Sequence, residues 1–142
     1  MKPKKPNSAG KPVVWGLLVV VLIIVVLWFP VLRPAYQRYK AGQDTAALVE
    51  ALKMYAQIEG ELPGGDLTTI CRLLRGESVA GQNARKLDYV ESYVVNDRGE
   101  FLDPWGTPYQ IILQPQMRVY SCGPNKTDEH GQGDDLAAGA AR

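Results

Sequence analysis

The sequence predicts an α+β fold. One long N-terminal helix, its first half transmembrane, packs its second half on a small antiparallel β-sheet, and a polar loop closes the C-terminal end. Three observations predict it. Val13 to Phe29 is an almost unbroken apolar run. Ala35 to Ile58 repeats apolar side chains at helical spacing. After Gly99, short β-prone stretches alternate with turn residues and then give way to glycine and acid.

The apolar run comes first. Seventeen residues at about 1.5 Å each span about 26 Å, just short of the ~30 Å hydrocarbon core of a bilayer. Pro30, Val31 and Leu32 close the gap. Lys2, Lys4, Lys5 and Lys11 precede the run and no acid lies among them, which holds the N-terminus in the cytoplasm. Arg33, Arg38 and Lys40 follow it, where they weaken that asymmetry and could touch lipid phosphates. The expected organisation is a basic cytoplasmic tail over 1–12, a transmembrane helix over 13–32 and an external domain over 33–142.

Two other readings explain less. A secretory signal peptide shares the basic start, but its apolar region is usually about 7–15 residues and ends at a small-x-small site. Here the run ends Trp28-Phe29-Pro30, which suits an interfacial anchor, and Arg33-Pro34-Ala35 is a poor cleavage site. A buried helix of a soluble protein would need apolar partners, and no other segment is apolar enough to enclose it.

Pro30 and Pro34 predict a short break or kink at the membrane surface. In the helix that follows, Thr45, Leu48, Val49, Leu52, Tyr55 and Ala56 form one stripe, with Glu50, Lys53, Gln57 and Glu59 off it. Gly42 lowers helix propensity locally by about 1 kcal/mol. Gly60 is placed to stop the helix, and Pro63 forbids continuation. Leu62 to Gly65 reads as a turn. Asp66 then caps a short helix that buries Leu67, Ile70, Leu73 and Leu74 and ends at Gly76. Ser78 to Ala84 reads as loop, and Lys86 to Tyr93 fits helix and strand equally.

Asn96-Asp97-Arg98-Gly99 is a turn signal, and Phe101-Leu102 a short extended piece. Thr107 to Leu113 and Met117 to Ser121 form an antiparallel hairpin around Gln114-Pro115-Gln116. Gly123 to Gly139 has no apolar period and reads as loop throughout.

Composition narrows the function. Four of the sixteen basic residues are the tail lysines, and the other twelve face fifteen acids, a balance of −3 beyond the tail. That argues against a nucleic-acid partner, which normally requires a basic patch. The external part, about 110 residues, is enough for one domain. Cys71 and Cys122 match no zinc spacing. An oxidising exterior would permit a disulfide between them, while two buried thiols fit their apolar surroundings equally.

Asp103-Pro104-Trp105-Gly106-Thr107-Pro108-Tyr109-Gln110 can be read physically. Asp103 before proline favours a turn, Gly106 gives freedom, and Trp105 offers an apolar face for the helix. Pro108 starts a strand where a donor can be spared. The octet reads as a core-capping turn rather than a catalytic site.

With Tyr120-Ser121-Cys122-Gly123-Pro124-Asn125 and Gly131-Gln132-Gly133-Asp134-Asp135-Leu136, the octet resembles the major pseudopilin (general secretion pathway protein G) family of type II secretion systems. The three motifs stand in the family's order, and the resemblance covers roughly 35–136. It implies a type IV pilin-like fold. It also implies a bacterial inner-membrane subunit with a periplasmic head, working by assembly rather than catalysis. The implied partners are other pseudopilins, secretion-system subunits or further copies of this chain.

One departure stands out. The family's precursors carry a glycine cleavage site before the apolar run and a glutamate five residues into the mature chain. Here Gly16 is followed by Leu17, the fifth residue on is Val21, and no acid lies anywhere in 13–29. Prepilin peptidase is therefore expected to leave residues 1–16 in place.

The C-terminal loop carries the one candidate binding site. Asn125, Asp128, Glu129, Asp134 and Asp135 lie among Gly123, Gly131, Gly133 and Gly139. Hard oxygens on a glycine-rich loop suit Ca²⁺, which takes about 6–8 of them, although a solvated acidic tail has the same composition. The resemblance implies one calcium here. By position, Asp134 and Asp135 match the paired acids, Asn125 stands where the family often has aspartate, and the Cys122 carbonyl matches a backbone ligand. Asp128 or Glu129 would restore the charge that Asn125 gives up. The spacing fits no EF-hand.

His130, the only histidine, stands near Asp128 and Ser121, but no nucleophile elbow supports a Ser-His-Asp set. The leading expectation is a membrane-anchored structural subunit. A tethered binding module for an envelope partner is second, and an anchored hydrolase third.

Overall fold

The computed structural model describes residues 11–138. The chain divides into two compact units between Tyr36 and Gln37.

The first unit contains α1 (Lys11–Leu27), a π-helical turn (Trp28–Leu32) and the opening of α2 (Arg33–Glu59). Helix from Val13 onward is long and apolar enough to cross a membrane. Its apolar side chains from Val13 to Val26 are 51–69% exposed, on every side. Water is a poor solvent for such a surface, and a bilayer interior is a matched one. Most of the expected basic tail, residues 1–10, lies outside the described residues. Lys11 and Pro12 open α1 instead of ending the tail; proline is tolerated there because first-turn N–H groups have no intrahelical partner.

Helical structure also continues where Pro30 predicts a break. A proline ring lacks the N–H and collides with the carbonyl four residues back. The wider π turn absorbs both faults without ending the helix.

The second unit is built on the rest of α2. It buries Ala41, Thr45, Leu48, Val49, Ala51, Leu52 and Tyr55, which is the expected stripe with Ala41 and Ala51 added and Ala56 half-buried. Gly42 sits within it without interrupting it, and the Thr45 hydroxyl donates to the Gly42 carbonyl at 3.0 Å. Gly60, at φ +90, ends the helix, and its N–H bonds Ala56 O.

α3 (Leu67–Leu74) follows, capped by Asp66, whose carboxylate accepts from Thr69 N at 2.9 Å. α3 buries Ile70, Cys71, Leu73 and Leu74 against Leu48, Leu52 and Tyr55, with Tyr89, Phe101, Tyr109 and Val119 completing the core. Lys86 to Tyr93 is neither helix nor strand; it runs irregularly with one bridge, Arg75 to Asp88. Asn83 is fully buried and unforeseen. Its amide donates to Leu73 O and Leu87 O and accepts from Leu87 N, so it staples α3 to the chain that follows.

The sheet is antiparallel, in the order β1 (Gln110–Ile112), β2 (Arg118–Ser121), β3 (Leu136–Ala138). β1 and β2 are the expected hairpin, with β1 starting three residues later and each strand one residue shorter at the turn, and with Ile111 opposite Val119. β3 is a correction, because Gly123 to Gly139 was expected to be loop throughout. Leu136 to Ala138 pair with Ser121, Tyr120 and Val119, although leucine and alanine are weak strand formers; β2's free edge supplies the partner that local propensity lacks. Cys71 and Cys122 are buried free thiols. Burial raises both to about 11.

Candidate functional site

Pairing of Ser121 with Leu136 makes the intervening residues an excursion that leaves β2 and returns beside it. Its backbone bends sharply. Gly123, Gly131 and Gly133 take φ of +67, +80 and +59, and Lys126 and His130 join them near +60. At two of these glycines a Cβ would collide. A Cβ on Gly123 would stand 2.5 Å from the Asp134 carbonyl, and one on Gly133 would run into the Glu129 carboxylate.

The excursion gathers three carboxylates. Glu129, Asp134 and Asp135 each offer one oxygen, all within 4.8 Å of one another. Backbone donors hold them in place. Asp135 Oδ2 accepts from Glu129 N at 3.0 Å and Gly131 N at 2.8 Å, Glu129 Oε2 from Asp134 N at 3.0 Å, and Asp134 Oδ2 from Asn125 N at 3.2 Å. One oxygen of each aspartate, Asp134 Oδ1 and Asp135 Oδ1, is buried with no hydrogen-bond partner among the described residues. Three clustered carboxylates, two of which carry an orphaned oxygen, are a donor set that could hold a metal ion.

The expected ligands separate into two groups. Asp134 and Asp135 come together, with Glu129 rather than Asp128 as the third carboxylate. Asp128 is turned away, accepting from the Tyr120 hydroxyl at 3.0 Å and from His130 N at 2.8 Å. Burial and the hydrogen bond to Asp128 push Tyr120 up to about 12. Asn125 contributes its backbone N–H to Asp134, while its side-chain oxygen accepts from Thr127 N at 2.6 Å. Cys122 is buried immediately before Gly123, whose backbone lies against Asp134.

A Ser-His-Asp set is not assembled. Ser121 is fully buried and its hydroxyl donates to Asp103, whereas His130 is exposed with Nδ1 3.3 Å from Asp128.

Asp103 organises the octet, as expected of a core-capping turn. It is buried, and Oδ1 accepts from Trp105 N at 3.0 Å and Thr107 N at 2.9 Å. Oδ2 accepts from the Thr107 and Ser121 hydroxyls at 2.7 and 2.5 Å. The Ser121 oxygen in turn accepts from Gly123 N at 3.1 Å, so one carboxylate braces both the turn and the root of the acidic loop. Trp105 is half-buried and lies outside the buried core cluster. The turn meets α2 through polar groups instead: Gln37 Nε2 donates to Pro104 O at 2.8 Å, and the Tyr109 hydroxyl to Asp44 at 3.0 Å. These ties were not legible in the sequence. Pro108 lies two residues before β1, bridged to Leu102.

Comparison with protein-family models, curated proteins and solved structures found no match.

Proposed function

We propose that this chain is a membrane-anchored, pseudopilin-like structural subunit of a type II secretion or related type IV filament-like apparatus, acting by assembly and not by catalysis. The observation that carries the reading is helix α2. It continues a helical run from Val13 whose early part is long and apolar enough to cross a membrane, and it supplies the central stripe of the α+β core. A rod of that kind can bundle with its like in the membrane while its heads line a surface. The resemblance of the octet, the Tyr120–Asn125 segment and the Gly131–Leu136 segment to major pseudopilins supports it.

In this reading the N-terminus is cytoplasmic, the helix crosses the bacterial inner membrane once and the domain is periplasmic. The acidic loop binds Ca²⁺ through Glu129, Asp134 and Asp135, and the resemblance adds the Cys122 carbonyl and Asn125 as further ligands. A cation there satisfies the two orphaned aspartate oxygens and cancels repulsion among three carboxylates. It would stiffen a loop that Asp103 anchors at one end.

A second reading, a tethered binding module that does not polymerise, is favoured by the absence of any carboxylate in 13–29. Crosslinking in native membranes separates the two. A ladder of multiples of this chain supports assembly, and a single heterologous adduct supports the tethered module. An unlinked monomer opposes both.

A further inference from the structure

The surface between α2 and the irregular segment before Phe101 is separate from the acidic loop. A groove of about 760 Å³ runs there, bounded by Asp44 and Ala47 on α2 and by Tyr89 to Val94 opposite. A second hollow continues it past Met54 and shares Tyr89 to Ser92 as its wall. Three features of that wall coincide.

Its backbone is unpaired. The last bond is Leu102 N to Val94 O, and among the described residues the N–H and C=O groups of Glu91, Ser92 and Tyr93 make no hydrogen bond. Its apolar side chains stand in solvent, with Val94 72% and Met54 50% exposed. Its charge is acidic. Lys40 is taken up by Asp44 at 2.9 Å, and Asp88 and Glu91 stand exposed with no ion pair among the described residues. Backbone with free donors and acceptors beside an apolar trough can take up an added strand, and two carboxylates select the charge of the guest.

We infer that this groove docks an extended, basic and apolar segment of a partner polypeptide, which pairs as a strand with Glu91–Tyr93. Main-chain bonds supply affinity, Val94 and Met54 take alternate apolar side chains, and Asp88 and Glu91 meet the lysines or arginines between them.

The test uses the full chain in detergent micelles and a fluorescent peptide of alternating valine and lysine. Anisotropy should report saturable binding. N-methylation of one set of alternate amides should weaken it at least tenfold, and methylation of the other set should leave it unchanged, because only one set faces the groove. The Asp88→Lys/Glu91→Lys double variant, with an unaltered melting temperature, should weaken binding about tenfold, and a valine–glutamate peptide should not bind. Equal loss from both methylation patterns, or from neither, would overturn the proposal. So would self-association of the chain that Val94→Asp abolishes while the peptide fails to bind.

Discussion

The Ser121 hydroxyl donates to Asp103 Oδ2 at 2.5 Å, so the octet's first residue holds the last residue of β2. Removing the carboxylate would orphan two backbone N–H groups and two hydroxyls at a buried site. Hydrogen bonds to a charged group are worth about 1.5–3 kcal/mol each, with incomplete additivity. Asp103→Ala should destabilise the domain by about 3–4 kcal/mol in chemical denaturation. Asp103→Asn should cost about half that, because its one oxygen can still serve the turn. A loss under about 1 kcal/mol for the alanine variant would remove Asp103 from this role.

Alkaline pH should weaken the fold. Burial raises Cys71 and Cys122 to about 11, and raises Tyr93 and Tyr109 well above the usual phenol range, with Asp44 adding to both tyrosine shifts. A raised folded-state pKa means the native form keeps a proton that the unfolded chain gives up. The stability is therefore intact below about pH 9 and drains away as pH climbs through 9 to 11 and beyond. Melting temperature measured from pH 7 to 11 should fall most steeply above 9. Tyr109→Phe should lose about 1–2 kcal/mol at neutral pH, where its bond to Asp44 is missing, and should show a shallower alkaline decline. A flat profile up to pH 11 would contradict the buried, protonated state of these groups.

Elements governed by local rules were legible in the sequence. The stripe Thr45, Leu48, Val49, Leu52, Tyr55 follows helical period, Asp66 is a local cap, and the hairpin's register follows its turn. What escaped is set by distant partners. Tyr109 and Asp44 are 65 positions apart, and Asn83 is buried only because α3 and Leu87 surround its amide. Leu136 to Ala138 become strand because β2 has a free edge, not because of their own preference. In the acidic loop, composition indicated clustered carboxylates. The choice of Glu129 over Asp128 rests on which way each backbone turn points, and Tyr120 draws Asp128 aside.

Calcium should stabilise the domain through the loop. A ligand that binds only the folded state adds about 2.7 kcal/mol at a hundredfold excess over its Kd. Millimolar Ca²⁺ should therefore raise the melting temperature of chelator-treated protein by several degrees, and Asp134→Ala should abolish the rise. Glu129→Gln should reduce it, and Asp128→Asn should leave most of it intact, since Asp128 serves Tyr120 and His130. Equal sensitivity of Asp128 and Glu129 would reassign the third carboxylate.

Two glycines make a sharper structural test of the same loop. Gly123 meets the Asp134 backbone, which has nowhere to retreat, whereas Gly133 meets only the end of the Glu129 side chain. Both adopt positive φ, where a Cβ costs about 1 kcal/mol by itself. Gly123→Ala should therefore lower stability by about 2–4 kcal/mol. Gly133→Ala should cost nearer 1–2 kcal/mol, but should weaken the calcium response by displacing Glu129. Similar stability losses with an undisturbed calcium response in Gly133→Ala would show that Glu129 is not part of the site.

The N-terminal segment should stay attached. A pilin-type maturation at Gly16 would leave Leu17 first and place Val21 fifth, where filament subunits of the resembling family carry a glutamate. Nothing in 13–29 can supply that charge. An apolar helix without it has no internal salt bridge to set its register against a neighbour, so association must rest on side-chain packing alone. Intact-mass measurement of protein extracted from membranes should give a chain that retains residues 1–16. A mass corresponding to a start at Leu17 would show that the processing enzyme accepts this sequence, and would return the chain to the ordinary maturation route of filament subunits.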